Sequence, residues 1–545
     1  MQLFVDIYGF LSVVLRGFIL AAQSVSVGGL AFLLMLVWPL GSRLGGTGAA
    51  LESRALRLIL LSASGLCAAE ALAGASLILM LVGTLDIPVH EAAGARAVAV
   101  DLVAAVLAAV IALAARLARQ AGSGVAAIRA AAPVLAALLL GVQAGSTHAV
   151  SQFEGAYALA AAEFLHMCGA AVWIGGIPYF LMALTDVAEP QARAEVARRF
   201  SLMSIGAVAA LLAGGALMAT FYVETPPALY GTSYGVMLTA KIVLLLGLLF
   251  LGGLNFLAVR RLKEQPAGPL LRTRRFAETE IGVGLTVLFC AASLASLPPA
   301  RDLPNDRASF SEIVDRLEPR LPVRLESPDF ETLSAALPPE ALKDLPPGAQ
   351  PPRSPADIAW SEYNHHWAGL FVVAMGVMAL LERASRRLAP VMSHWPLVFL
   401  GLAGFLFLRA DEAVWPLGRL GLIESLRDPE IAQHRLLTLL IVAFGLFEWQ
   451  VRRGRIRAWW APYVFPVSTA TAAAFLLTHS HALANLKEET LIEITHTPLA
   501  LVGVAAGWSR WLELRLDGRA KRIAGFVWPV AFILAGLMLV FYREA

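Results

Sequence analysis

The chain has 545 residues, of which 58% are hydrophobic and only 15% are charged, and its net charge is +3 at pH 7. A soluble domain of this length cannot bury so much apolar side chain in a core, so the lipid bilayer is the natural solvent for the excess. The basic residues stand in short clusters between apolar runs. They form no single patch that could neutralise phosphates, which argues against nucleic-acid binding.

The first apolar run predicts a retained transmembrane helix and not a cleaved signal peptide. The chain opens with MQLFVDIYGF, which lacks a basic region, and the run ends in LVWPL without a small-residue cleavage site. The cysteines Cys67, Cys168 and Cys290 lie inside apolar runs with no CxxC spacing. We therefore expect buried thiols and neither a disulfide framework nor a thiolate zinc site.

Apolar runs long enough to cross a membrane recur along the whole chain. Because a crossing needs about 20 mostly apolar residues, we predict an all-α integral membrane protein with about 14 transmembrane helices, eight before and six after one long periplasmic loop. The predicted spans are 13–38, 58–83, 98–115, 130–145, 156–183, 201–222, 236–258, 277–297, 364–382, 395–409, 433–450, 460–478, 490–509 and 523–542.

Clusters of Lys and Arg mark every second loop between these spans. Such clusters face the cytoplasm, because loops rich in Lys and Arg are retained there. The clusters lie within residues 43–57, 116–129, 193–199, 260–275, 383–387, 452–457 and 510–522. We therefore predict a multi-pass protein of the bacterial inner membrane with both termini in the periplasm and with His394 on the cytoplasmic side.

A polar stretch rich in proline and acidic residues separates the two groups of spans. We predict three parts: an eight-helix membrane domain at 1–298, a periplasmic loop at 299–360 and a six-helix membrane domain at 361–545. Proline favours extended backbone over a packed domain, so the loop should form a cap or strap.

The ten histidines are concentrated on one side of the predicted membrane. His166 and His496 lie inside spans, in the outer half, and His394 is the exception on the cytoplasmic side. The others fall in outer loops or at outer helix ends, and they are His90, His148, His365, His366, His434, His479 and His481. This asymmetry places imidazole chemistry on the periplasmic side.

A Thr-His pair followed in the next helix by Glu-x-x-His occurs twice. The copies are Thr147-His148 with Glu163-Phe-Leu-His166, and Thr478-His479 with Glu493-Ile-Thr-His496. Residues three apart share a helix face, so each carboxylate and imidazole can converge on one point, where both can bind a metal or the carboxylate can orient the imidazole. The predicted metal ligands are His148, Glu163, His166, His365, His366, His434, His479, His481, Glu493 and His496.

Two less specific interpretations remain open for these polar residues. Each Glu of a Glu-x-x-His pair could simply form a hydrogen bond with its own His and hold neighbouring helices together. Likewise Glu70, Asp101, Lys241 and Asn255 lie in or beside apolar spans, where a charge marks either an ion path or a pairing such as Glu70 with Lys241. Imidazole suits copper, zinc and iron, so ligand chemistry favours copper only modestly.

The segment around the first Glu-x-x-His resembles the copper resistance protein D (CopD) family. The resemblance rests on FLHMCGAAVWIGG from Phe164 to Gly176, on Arg199-Phe-Ser, on the Tyr230-Gly-Thr-Ser-Tyr-Gly motif with the later Leu-Thr-Ala-Lys241, and on Leu297-Pro-Pro-Ala. It covers residues 140–300 closely, and the six-helix part is similar to the C-terminal extension of the larger proteobacterial members.

The resemblance implies copper transport or delivery across the inner membrane, with copper as the bound ion. It also implies a periplasmic copper-binding partner of the CopC type, which we expect to be a separate protein because no CopC-like β-domain is fused to this chain. Two alternatives stay open: a b-type haem protein that transfers electrons through paired histidines, and a metalloenzyme with a dinuclear site. No ATP-binding loop is present, and we expect a transporter or metal-binding protein rather than an enzyme.

Overall fold

The protein is helical wherever the structure, a computed structural model, describes it. The described residues are 2–120, 125–145, 155–328, 354–411, 414–415, 417–418, 420–426, 429–478 and 486–544. Among them the sole β contact is an isolated bridge between Val414 and Leu420. The predicted all-α class is therefore confirmed.

The chain divides into two compact units. The first contains Met1–Pro226 and Lys241–Asp302, and the second contains Pro227–Ala240 and Leu303–Ala545. The division falls inside one helix, Ser233–Glu264, whose first two turns belong to the second unit.

The first unit is built from long apolar helices. They are α1 (Gln2–Phe32), α2 (Gly46–Leu85), α3 (Arg96–Gln120), α4 (Val125–Ala144), α5 (Ala156–Trp173), α6 (Ile177–Asp186), α7 (Pro190–Tyr222), α8 (Ser233–Glu264) and α9 (Leu271–Ser296). Helix α1 is extended by one π-helical turn at Leu33–Val37. It packs against α2, α5 and α9, while α2 packs along α3 and α5 packs along α7.

The second unit carries the remaining long helices. They are α10 (Phe310–Leu317), α11 (Pro355–Ala384), α12 (Val398–Arg409), α13 (Pro429–Arg452), α14 (Val464–Leu476), α15 (Leu486–Arg515) and α16 (Gly518–Val540). Helix α16 packs between α11 and α15. The core of the second unit contains a cluster of fully buried rings, Trp395, Phe465 and Trp528, whose centroids lie 5.2 to 5.5 Å apart.

The helices match the predicted spans closely. Among the described residues, 12 helices are long and apolar enough to cross a membrane. Two shorter apolar helices, Ile128–Ala144 and Ala461–Leu476, coincide with the predicted spans 130–145 and 460–478. The chain is a multi-pass membrane protein, and the total of 14 crossings remains a prediction because the two short helices fall below the usual length of a crossing.

Glycines allow α5 and α7 to approach until their backbones touch. A Cβ atom on Gly169 would lie 2.4 Å from the carbonyl oxygen of Ala207, and one on Gly214 would lie 2.4 Å from that of Ala162. Apolar helices in lipid associate through such small-residue contacts, because no hydrophobic effect drives them together there. This close approach positions the residues described next.

Candidate functional site

His166 lies on α5 and faces α7 in the first unit. Its Nδ1 atom donates a hydrogen bond to the carbonyl oxygen of Leu211 over 2.8 Å. Gly215 leaves room for the ring, since a Cβ atom there would come within 3.2 Å of Nδ1. A neutral imidazole that donates through Nδ1 has its lone pair on Nε2. This tautomer is the one that presents Nε2 to a metal.

Glu163, one turn before His166, is electrostatically coupled to the ammonium group of Lys241 on α8. Lys241 is also coupled to His166 itself, and Tyr222 at the end of α7 is coupled to Glu163. Glu163 and His166 therefore share one electrostatic partner, Lys241, as is consistent with two residues on the same helix face. Lys241 stood out in the sequence as an ionisable residue of an apolar span, but no local signal pairs it with Glu163.

The alternative pairing of Glu70 with Lys241 is not the arrangement found. Glu70 is fully buried on α2 and accepts a hydrogen bond from the side-chain amide of Gln143 on α4. Its electrostatic partners are Arg16 and Asp101. The polar residues of the first four helices thus form a group of their own, apart from Glu163 and Lys241.

In the second unit, α15 presents Glu489, Glu493 and His496 on one face. The two carboxyl groups are 6% and 5% exposed, and they are coupled to each other. Ser233 donates a hydrogen bond to Glu493, and its hydroxyl lies 3.0 Å from that of Thr490. Residues at i, i+4 and i+7 of a helix form one stripe. Glu489 was missed from the sequence because the predicted span begins at 490.

Three rings meet beside the end of this stripe. His365 of α11 stacks on Tyr542 with 3.9 Å between ring centroids, and His496 lies 6.0 Å from His365 and 5.5 Å from Tyr542. His365 donates through Nδ1 to the carbonyl oxygen of Ser361 at 2.8 Å, and His496 donates through Nδ1 to that of Ile492 at 3.0 Å. Both rings therefore carry the lone pair on Nε2, as His166 does.

The last residues of the chain hold this group of rings together. The hydroxyl of Tyr542 donates to Glu544 over 2.8 Å, and Ser361 donates to the same carboxylate. Arg316 of α10 donates to the carbonyl oxygen of Arg543 at 3.0 Å, and burial lowers the pKa of this guanidinium. Tyr542 and Glu544 were not singled out from the sequence, where they look like the end of the last span.

His366 and His434 are engaged differently from these rings. Both ring nitrogens of His366 face backbone carbonyl oxygens, Nδ1 that of Arg324 at 2.8 Å and Nε2 that of Tyr542 at 2.9 Å. A metal ion would have to displace one of these contacts. The Nδ1 atom of His434 lies 2.6 Å from the carboxylate of Asp411, and the side chain is 40% exposed.

Three of the predicted ligands, His148, His479 and His481, lie outside the described residues. Among the residues that are described, no three His, Cys, Asp and Glu side chains are grouped so that they could hold one metal ion. The described donors instead occur as pairs and rows: Glu163 with His166, Glu489 with Glu493 and His496, and His365 beside His496.

Residues 194–294 match the family model of copper resistance protein D. The chain is also 33% identical over 139 residues to the copper transport protein CutJ of Bacillus subtilis (strain 168). That alignment covers 25% of each chain, so the chain spans about a quarter of the length of this curated relative. No solved structure matches the chain. The matched segment includes Leu211, Gly214 and Lys241, which contact His166 or are electrostatically coupled to it, so this part of the chain is similar to copper resistance protein D.

Proposed function

We propose that this protein transports or delivers copper across the inner membrane, taking the ion from the periplasmic side. The observation that carries the proposal is the set of donors that the membrane helices hold ready for a soft or borderline cation. His166, His365 and His496 each donate through Nδ1 to a backbone carbonyl oxygen. Hydrogen bonds of this kind orient a ligating imidazole and make Nε2 a better donor.

In the part of the chain that the structure describes, the donors occur in pairs and rows rather than in clusters of three, and such an arrangement suits an ion that must move on. A transport site has to bind strongly enough to admit the ion and weakly enough to release it. The stripe of Glu489, Glu493 and His496 on α15, continued by His365, offers successive oxygen and nitrogen donors. Imidazole is a ligand that copper favours, and the carboxylates offset its positive charge in a medium where charge is costly.

Lys241 stabilises the copper-free form of the site in the first unit. Without copper, its ammonium group offsets the charge of Glu163, because a carboxylate in hydrocarbon is costly unless a cation compensates it. A copper ion on Nε2 of His166 competes with Lys241 for the same carboxylate. Binding of copper is thus accompanied by displacement of the lysine, and loss of copper is accompanied by its return.

His148, His479 and His481 belong to the proposal as the outermost ligands, and His366 and His434 as ligands of the periplasmic end. We propose that a separate CopC-type protein supplies the ion there, that both termini are periplasmic, and that the long loop 299–360 lies on the same side. The name of the relative CutJ describes copper transport, which supports the proposal of copper as the transported ion.

The proposal is tested by copper content and copper transport of single variants. We expect His166→Ala and His496→Ala, purified in detergent and loaded with Cu(I) under reducing conditions, each to lose copper relative to the wild type. His394→Ala is the matched control, because this imidazole contacts Pro390 and Arg453 and is not among the proposed ligands. Copper uptake into proteoliposomes should fall with the same two variants.

An optical spectrum of the same preparation separates copper from the haem alternative. A Soret band in the wild type that disappears in His365→Ala or His496→Ala would show that the second unit binds haem and not copper. A His166→Ala protein that folds, keeps its copper and still alters cellular copper sensitivity like the wild type would overturn the proposal for the first unit.

A further inference from the structure

A second group of polar residues, three of them ionisable, lies inside the membrane helices of the first unit, and the copper proposal does not use it. Arg16 is on α1, Glu70 on α2, Asp101 on α3 and Gln143 on α4, all within apolar spans or apolar helices. Ionisable residues in such helices are rare, and they mark ion paths, proton relays or pairings.

The geometry of the group centres on Glu70. This side chain is 0% exposed, its Oε1 atom accepts a hydrogen bond from Gln143, and its Oε2 atom makes no hydrogen bond in the described part of the chain. Asp101 lies against the next turn of α2, because a Cβ atom on Gly74 would meet its Cβ at 3.6 Å and its Oδ2 at 3.9 Å. Arg16 is coupled electrostatically to both carboxyl groups.

The charges of this group do not balance when both carboxyl groups are ionised. Among the described residues, Arg16 is the cation that is coupled to Glu70 and Asp101, and the further titratable group coupled to Asp101 is the phenol of Tyr8, which is neutral. Two carboxylates and one guanidinium leave one negative charge in a region of low dielectric constant, where an uncompensated charge costs several kcal/mol. Binding of one proton removes that charge.

We infer that Glu70, Asp101 and Arg16 form a proton-binding site, and that its one exchangeable proton resides on Oε2 of Glu70. Glu70 takes the proton because it is fully buried, whereas Asp101 is partly exposed. In this proposal Asp101 stays ionised and balances the charge of Arg16, to which it is electrostatically coupled. A permanent Glu70–Arg16 ion pair is the competing arrangement, and it would leave Asp101 as the protonated member.

Infrared difference spectroscopy of the purified protein reports this proton without any other ligand. A protonated carboxyl group in an apolar site has a carbonyl-stretch band that a carboxylate lacks, and the band shifts in D₂O. We expect such a band near neutral pH in the wild type and its loss in Glu70→Gln, an isosteric variant that mimics the protonated group. Glu91→Gln, at an exposed residue outside the spans, is the control and should leave the band unchanged.

Two further variants separate the proposal from a structural ion pair. In Asp101→Asn one carboxylate balances Arg16 without a proton, so the Glu70 band should be lost. In Arg16→Gln the cation is gone, so the band should persist or grow. The proposal is overturned if Glu70→Gln leaves the band intact, if Asp101→Asn does not reduce it, or if sodium at constant pH abolishes it, because the last result would mean that the site takes a metal cation.

The role of this proton in transport rests on the proposed copper function. In proteoliposomes containing a pH-sensitive dye, we expect copper uptake by the wild type to be accompanied by proton movement. Glu70→Gln should move copper with no proton signal above that of empty vesicles. Unchanged proton movement in Glu70→Gln would refute the coupling, whereas a complete absence of copper uptake by the wild type would refute the copper function and leave the infrared assignment standing.

Discussion

The contact between α5 and α7 gives the sharpest test of how the fold positions His166. In Gly214→Ala, the new methyl group would lie 2.4 Å from the carbonyl oxygen of Ala162 and 2.9 Å from the backbone nitrogen of His166. Neither atom can rotate away, because both belong to the backbone of α5. An ordinary contact needs about 3.4 Å, so the two helices must separate by about 1 Å.

That separation is enough to break the hydrogen bond that orients the imidazole. The distance from Nδ1 of His166 to the carbonyl oxygen of Leu211 would grow from 2.8 Å to about 3.8 Å, beyond the range of a hydrogen bond. Overpacking of this kind costs about 1–3 kcal/mol. Replacing glycine by alanine in a helix returns about 1 kcal/mol, so a matched control is needed to isolate the clash.

Gly206 on the same helix provides that control, because a Cβ atom there would have no neighbour within 4 Å. We expect Gly214→Ala to unfold about 1–3 kcal/mol more easily than Gly206→Ala in a sodium dodecyl sulfate titration, and to lose copper that Gly206→Ala retains. Equal stability and equal copper content in the two variants would show that the close approach of α5 and α7 does not position His166.

Two further predictions concern charge. Lys241→Met removes the cation that competes for Glu163 and repels a metal on His166, so the affinity for Cu(I) in a competition titration should rise. Lys521→Met, at an exposed residue, is the control and should leave the affinity unchanged. A lower affinity in Lys241→Met would mean that Lys241 helps to form the site instead of competing with the metal. A hydrogen bond from Lys487, with help from Ser309, lowers the pKa of Glu312 to about 2. The stabilisation is therefore complete above the ordinary value of about 4.3 and is lost as pH falls towards 2, so wild type and Glu312→Gln should differ in melting temperature at pH 6 and converge near pH 2. The difference will be small because both side chains are more than a third exposed.

The positions of the helices could be predicted from the sequence because hydrophobicity along a short segment is enough to indicate a membrane-spanning helix. Each apolar run of about 20 residues has no stable environment but the bilayer, and every predicted span coincides with a helix. The shared face of Glu163 and His166 followed from helical periodicity alone. The predicted helix ends were less accurate. The last but one span was predicted to begin at 490, whereas α15 begins at Leu486, and Glu489 was therefore not included among the residues of its polar face.

The pairing between helices could not be read from the sequence, because it depends on how each helix is rotated about its axis. The sequence suggested Glu70 as a partner of Lys241, whereas the structure couples Lys241 to Glu163. The packing of the helices decides between these partners. Gly169 and Gly214 allow α5 to pack closely against α7. Gly74 allows α3 to pack closely against α2, which places Asp101 near Glu70. A glycine in an apolar run indicates close approach but does not name the partner.

The orientation of the chain in the membrane is the assumption on which the direction of copper movement depends. We predict that Asn305, in the segment after α9, faces the periplasm and that Ala384, at the end of α11, faces the cytoplasm, because basic loops are retained inside. Both side chains are exposed in the structure, so a cysteine at either position can react. The native residues Cys67, Cys168 and Cys290 are first replaced by alanine, which gives a background without reactive thiols.

A membrane-impermeant maleimide added to intact spheroplasts should label Asn305→Cys and should spare Ala384→Cys, which should react only after the membrane is permeabilised. Labelling of Ala384→Cys alone in intact cells would invert the topology. His365, His496 and the carboxylates of α15 would then open towards the cytoplasm, and the same donors would describe a protein that collects copper from inside. Labelling of both variants in intact cells would mean that the number of crossings between them is even, so that α11, the long apolar helix between these positions, does not cross the membrane.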